Sequence, residues 1–244
     1  MSSPIILLHA FPLTPAMFDE LRAELTVPIH TPALPGFGHT PLSREQPSLS
    51  VLAKSVLTYA DEQNVDQFIV GGVSLGGYVV MELMRLAPER LLGALLIDTK
   101  AGEDSPEGKI NRERIARLAL QHGTNSLLGT MLPPLTGKTT KDVNPRIVER
   151  VSQIFGEADP AAIAWTQRAM TTRRDSFSTL QKFTKPLLII VGDEDEIAPV
   201  ADARQMAEAN MQGELVIIEG AGHLSVLEQP EKCARVIDQW LSQI

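Results

Sequence analysis

The tract Gly72-Val73-Ser74-Leu75-Gly76 sets one hydroxyl between two glycines, and Gly77 follows it. A serine hydroxyl is a weak nucleophile. It attacks a carbonyl only when a base takes its proton and a third group holds that base. The apolar run Gln67–Gly72 enters the tract and the helical pattern Leu75–Leu86 leaves it. A sharp strand-to-helix turn of this kind lifts the serine Oγ clear of a sheet, at the helix N-terminus. Histidine is the natural base, and the chain has five: His9, His30, His39, His122 and His223. His223 lies in Gly220-Ala221-Gly222-His223-Leu224, a loop after the run Glu214–Glu219. The C-terminal end of a strand is where open α/β sheets build their sites. For the acid, the run Pro186–Gly192 leads into Asp193-Glu194-Asp195-Glu196. Asp195 is the expected partner of the imidazole, the other acids making a solvated turn. Asp98, at the end of the run Leu92–Asp98, and Asp193 are the alternatives.

A tetrahedral oxyanion also needs two preorganised donors. The N–H of Leu75, next after the serine, is one. The loop after the first apolar run, His9-Ala10-Phe11-Pro12, should supply the other. Pro12 has no N–H, which leaves Ala10, Phe11 and Leu13.

These residues need a sheet to bring them together. Ile5–His9, Val27–Thr31, Gln67–Gly72, Leu92–Asp98, Pro186–Gly192 and Glu214–Glu219 are continuous apolar runs, as expected of strands covered on both faces. Helical patterns lie between them at Pro15–Leu25, Leu49–Gln63 and Leu75–Leu86, and Pro230–Leu241 closes the chain. This alternation predicts a doubly wound, mostly parallel sheet. It breaks between residues 101 and 184, where helices are expected at Asn111–Gln121, Ser126–Met131, Val143–Phe155 and Pro160–Thr171. The expected organisation is a core of residues 1–100 and 185–244 with a helical insertion at 101–184.

Over essentially its whole length the sequence resembles the α/β-hydrolase superfamily. The matching pieces are Leu8-His9-Ala10-Phe11-Pro12, Leu34-Pro35-Gly36-Phe37-Gly38, Gly72-Val73-Ser74-Leu75-Gly76-Gly77, Gly192-Asp193-Glu194-Asp195 and Gly222-His223, in order. The resemblance implies Ser74 as nucleophile, Asp195 as acid and His223 as base. It implies the Phe11 N–H as the second oxyanion donor, His9 as a loop-shaping residue, and the insertion as a cap over the site. The family's first loop usually reads His-Gly, where this chain has Ala10. Its sheet usually opens with an antiparallel hairpin, where this chain has only Met1-Ser2-Ser3-Pro4. About six parallel strands are therefore expected, with Val27–Thr31 as an edge. Within the superfamily the chain looks like the small capped esterases and lactonases, including the 3-oxoadipate enol-lactonase-like branch. The implied activity is acyl-enzyme hydrolysis of a small ester or lactone, without cofactor or metal. The same triad could serve perhydrolase, haloperoxidase-like or C–C bond hydrolase chemistry, and a receptor on a hydrolase scaffold is the non-catalytic alternative.

Composition narrows the partners. The net charge of −8 is a poor footprint for nucleic acid or an anionic membrane. A single cysteine, Cys233, excludes a disulfide framework within the chain, and its helical spacing with Ile237 and Trp240 predicts a core thiol. No apolar run approaches the length of about 18 residues needed to span a bilayer, and no secretory signal is recognisable, so a cytoplasmic setting is expected. The charge is uneven: residues 104–184 hold 12 basic and 8 acidic side chains, the remainder 10 and 22. Arg112, Arg114, Arg117, Arg168, Arg173 and Arg174 either form a solvated face or turn toward the site. Of Leu127, Leu128, Met131, Leu132, Leu135, Ile154, Trp165 and Met170, most are expected to fill the insertion's own core. Trp165, Met131 and Leu128 are the expected pocket residues.

Overall fold

A computed structural model describes residues 3–244; Met1 and Ser2, half of the short stretch before the first strand, lie outside the described residues. Six strands form one sheet: β1 (Ile5–Leu8), β2 (Ile29–His30), β3 (Phe68–Val73), β4 (Leu91–Ile97), β5 (Leu187–Gly192) and β6 (Gly213–Ile218). Their order is β2-β1-β3-β4-β5-β6 and every pairing is parallel. Every residue of β1, β3 and β5 is buried, because helices cover both faces. The edge strand β2 is shorter than the expected Val27–Thr31. Pro28 and Pro32 flank it and cannot donate to a ladder, so only Ile29 and His30 pair with Ile5 and Ile6.

The helices are α1 (Asp19–Glu24), α2 (Leu49–Glu62), α3 (Leu75–Leu86), α4 (Pro106–His122), α5 (Asn125–Met131), α6 (Lys138–Val143), α7 (Pro145–Gly156), α8 (Pro160–Thr171), α9 (Phe177–Lys182), α10 (Val200–Glu208), α11 (Ser225–Glu228) and α12 (Pro230–Leu241). Local chemistry sets their ends. Ser48, Ser105 and Asp159 accept from the first free N–H groups of α2, α4 and α8. Proline opens α4, α7, α8 and α12, where its missing N–H costs nothing.

The expected helix Val143–Phe155 is α7, which starts two residues later, while Val143 ends the separate helix α6. Asn144 turns to φ −142° and Pro145 starts α7, since the residue before proline avoids helical backbone. The expected Pro15–Leu25 helix begins as a 3-10 turn over Pro15–Phe18 before α1. The strand-like runs carry no hint of α9, α10 and α11.

Helices α4 to α9 run between β4 and β5, over the C-terminal ends of the strands. Their apolar side chains, including Leu127, Phe155 and Ile163, join the same buried cluster as the sheet. At the far end, α12 buries Cys233, Ile237 and Trp240. No helix among the described residues is long and apolar enough to cross a membrane.

Candidate active site

β3 ends one residue before Ser74, and α3 begins one residue after it. Ser74 is held at φ 53° and ψ −109°, a left-handed backbone that a non-glycine residue adopts only under constraint. Two hydrogen bonds supply it. The Ser74 N–H donates to Ile97 O at 2.9 Å, and Thr99 Oγ1 donates to Ser74 O at 2.8 Å. The turn is too tight for side chains on either flank. A Cβ at Gly72 would lie 2.1 Å from the carbonyl carbon of Gly76, and one at Gly76 would lie 2.3 Å from Leu8 O.

His223 reaches the serine from the loop after β6. Its Nε2 is 2.8 Å from Ser74 Oγ and its Nδ1 is 2.8 Å from Asp195 Oδ2. The imidazole is almost fully buried. Asp195 sits in the loop after β5, and its Oδ1 accepts from the N–H groups of Ile197 and Ala198 at 2.8 and 2.9 Å. The carboxylate is thus oriented from both sides.

The structure separates the three candidate acids. Asp193 is exposed and accepts from the N–H groups of Gly220 and Ala221, tying the β5 loop to the histidine loop. Asp98 is fully buried, but its oxygens accept from Gly192 N–H at 3.0 Å and from Ser225 N–H and Oγ at 2.8 and 2.7 Å. Burial, with the neighbouring Asp195 charge next in size, pushes the Asp98 carboxyl up to about 7. Only Asp195 touches the imidazole.

The loop after β1 resolves in the same way. The Ala10 N–H points at Met17 Sδ, 3.2 Å away, and the Leu13 N–H donates to Ala10 O at 2.9 Å. The N–H groups of Phe11 and Leu75 have no acceptor among the described residues. His9 holds this loop: Nδ1 donates to Ala10 O, and Nε2 accepts from the Leu34 N–H, each at 3.0 Å. Phe37 packs edge-on against both His9 and Phe11. Of the remaining histidines, His30 bonds Tyr59 Oη on the edge strand, while His39 and His122 are exposed.

Ser74 and His223 open into a cavity of about 400 Å³ between the sheet ends and the insertion. Met131 lines it, but Trp165 and Leu128 do not. On α5, Leu127, Thr130 and Met131 share the face toward the cavity, and Leu128 lies one helical step off it. On α8 the facing residues are Gln167 and Met170. Trp165 instead packs in the core with its indole N–H on Glu45 O at 3.0 Å.

The arginines divide as sharply. Arg117 and Arg168 pair with Glu113, and Arg174 pairs with Glu82, away from the cavity. Arg112 and Arg114 line it. Asp104, also in the wall, accepts from Arg112 Nε and Nη2 and from Arg173 Nη2. Burial opposes its charge, yet the two guanidinium groups outweigh that and hold the carboxyl below its usual range. Sequence patterns did not single out Tyr78, Lys100, Asp104 or Gln167 as wall residues. The signal available for Lys100 was its place two residues past the last residue of the run Leu92–Asp98.

Known proteins are similar to this chain in sequence and fold. A biotin biosynthesis bifunctional protein of Cellvibrio japonicus is 27% identical over 92% of the chain, which spans 44% of that protein. A 3-oxoadipate enol-lactonase of Acinetobacter baylyi is 25% identical over 74% of the chain and 66% of its own length. The solved structure of a thermophilic esterase from Thermogutta terrifontis, with malate bound, is 32% identical and has a TM-score of 0.96. That likeness covers 100% of this chain and 90% of the esterase. The family model for the alpha/beta hydrolase family matches residues 5–236, nearly the whole chain, so this chain belongs to the alpha/beta hydrolase family.

Proposed function

We propose that the chain is a serine hydrolase of small carboxylic esters or lactones that works through an acyl-enzyme. The observation that carries this is the unbroken series Ser74 Oγ, His223 and Asp195, with 2.8 Å at both links. Ser74 attacks the carbonyl carbon while His223 Nε2 takes its proton. The imidazolium that results keeps its Nδ1–H on Asp195, which fixes the tautomer and stabilises the charge. The N–H groups of Phe11 and Leu75 receive the oxyanion. Neither has an acceptor among the described residues, while Ala10 and Leu13, the other donors of the β1 loop, are engaged. His223 then protonates the departing oxygen, and a water deprotonated by His223 resolves the acyl-enzyme. The esterase and the enol-lactonase among the relatives support ester or lactone as the electrophile.

A panel of short acyl esters and five- and six-membered lactones, assayed on wild type and Ser74→Ala, tests the reading. Wild type turns over at least one member, and Ser74→Ala loses about four orders of magnitude or more of kcat. Turnover that persists in Ser74→Ala contradicts it.

A further inference from the structure

The cavity wall holds more positive charge than its acid can balance. Asp104 is the single acid lining it among the described residues, and both its oxygens are taken by Arg112 and Arg173. Arg173 is itself buried, with its guanidinium 4.1 Å from the centre of the Tyr78 ring. Arg112 is nearly saturated: besides Asp104, its Nη1 donates to Gln167 Oε1 and lies against Met170 Sδ, each at 3.2 Å. Arg114 also lines the cavity without a carboxylate partner, but it is exposed and its Nε and Nη2 both donate to Asn111 Oδ1. Lys100 differs from all three arginines. It leaves the end of β4 half-buried, and its ammonium makes one bond, to Ile197 O at 3.2 Å. No carboxylate among the described residues lies within 4.0 Å of it.

An ammonium has three donors, so two of those of Lys100 remain for a ligand in the same cavity as Ser74 and His223. We propose that the preferred substrate is an ester or lactone that carries a free carboxylate, and that Lys100 anchors that carboxylate. The inference rests on the hydrolase reading above. A neutral ligand would strip water from the ammonium and replace it with nothing, whereas a carboxylate replaces it with charge-assisted hydrogen bonds. Arg112 and Arg173 share one carboxylate between them and add a favourable field at the same end. The rest of the wall, Leu127, Met131, Leu135 and Met170, is apolar and suits the methylene chain between carboxylate and ester.

The test uses substrate pairs of matched shape. Mono-4-nitrophenyl glutarate against 4-nitrophenyl valerate places the charge on the acyl chain. 4-Carboxyphenyl butyrate against 4-carbamoylphenyl butyrate places it on the leaving group. Wild type should favour the anion of at least one pair by about tenfold or more in kcat/KM. That ratio should fall by a similar factor in Lys100→Met, survive in Lys100→Arg, and shrink as salt is raised. A second readout does not need turnover. Glutarate, but not glutaramide, should slow fluorophosphonate labelling of wild type, and the protection should be lost in Lys100→Met. If the fluorophosphonate labels but neither pair nor protection discriminates, or if discrimination survives unchanged in Lys100→Met, the carboxylate anchor is wrong. If nothing labels and nothing is hydrolysed, the hydrolase reading fails instead.

Discussion

His223 bonds to two polar side chains, whereas His9, equally buried, bonds only to backbone. Burial lowers the His9 pKa from 6.5 to about 4, against the pull of Ala10 O. Between those values the unfolded chain binds the proton and the folded chain does not. The contribution is therefore present in full above pH 6.5 and is lost as pH falls to about 4, by about 3 kcal/mol. His9→Gln should flatten that part of the acid limb in urea unfolding, measured from pH 6.5 to 4 beside wild type. An unchanged slope contradicts the assignment. Asp98 has the opposite sign, because its proton is held more tightly in the folded state. Its contribution is present below pH 3.8 and is lost as pH rises toward about 7. The two buried carboxyls also differ in what they touch. Asp195→Asn should lower kcat by about 10⁴ through the wrong imidazole tautomer. Asp98→Asn, whose bonds go to Gly192 and Ser225, should cost far less, and steady-state rates on one ester compare them.

Elements meet the site through a further buried carboxylate, Glu228, at the end of α11. It accepts from Gly222 N–H at 3.0 Å and Leu224 N–H at 3.1 Å, on either side of His223. It also accepts from Gly137 N–H at 2.8 Å and Thr140 Oγ1 at 2.6 Å, where α6 starts. One side chain thus joins the histidine loop to the insertion. Glu228→Ala leaves those donors unpaired, and should cost about 3 kcal/mol or more in chemical denaturation with a lower kcat. A variant as stable as wild type contradicts the role. Such long-range ties were illegible in the sequence, since residues 137 and 228 meet only in the fold. What was legible followed local signals. The bounds of α3, α8 and α12 agree with expectation because prolines mark an end of each and the apolar spacing fills the rest. The face each helix turns to the cavity was not legible. Met131 and Leu128 have the same character and sit three residues apart, and only packing decides that one lines the pocket. Strand ends point to Ser74 and His223, because a sheet's C-terminal edge gathers such residues whatever the loops do, but Asp98, Asp193 and Asp195 all follow strand ends, and only the fold shows which of them bonds the imidazole.

For the whole molecule, the uneven charge becomes a local arrangement rather than a pairing of two opposed bodies. Of the contacts between insertion and core, Arg150–Asp19 at 3.0 Å joins two partly exposed side chains, and Arg174–Glu82 at 3.7 Å is long and exposed on the arginine side, so each adds little stability. The apolar cluster is continuous from the sheet into the insertion, so core and insertion should unfold together. Calorimetry should show one thermal transition whose van't Hoff and calorimetric enthalpies agree, and two resolved transitions contradict a shared core. Where the insertion closes on the sheet, it leaves the cavity over Ser74, and the catalytic reading stands or falls on that hydroxyl. The most direct measurement is intact and peptide mass spectrometry after treatment with a fluorophosphonate. The account predicts one covalent adduct per chain, located on Ser74, abolished in Ser74→Ala and greatly slowed in His223→Ala. An adduct on another residue, or labelling that survives in Ser74→Ala, would contradict it.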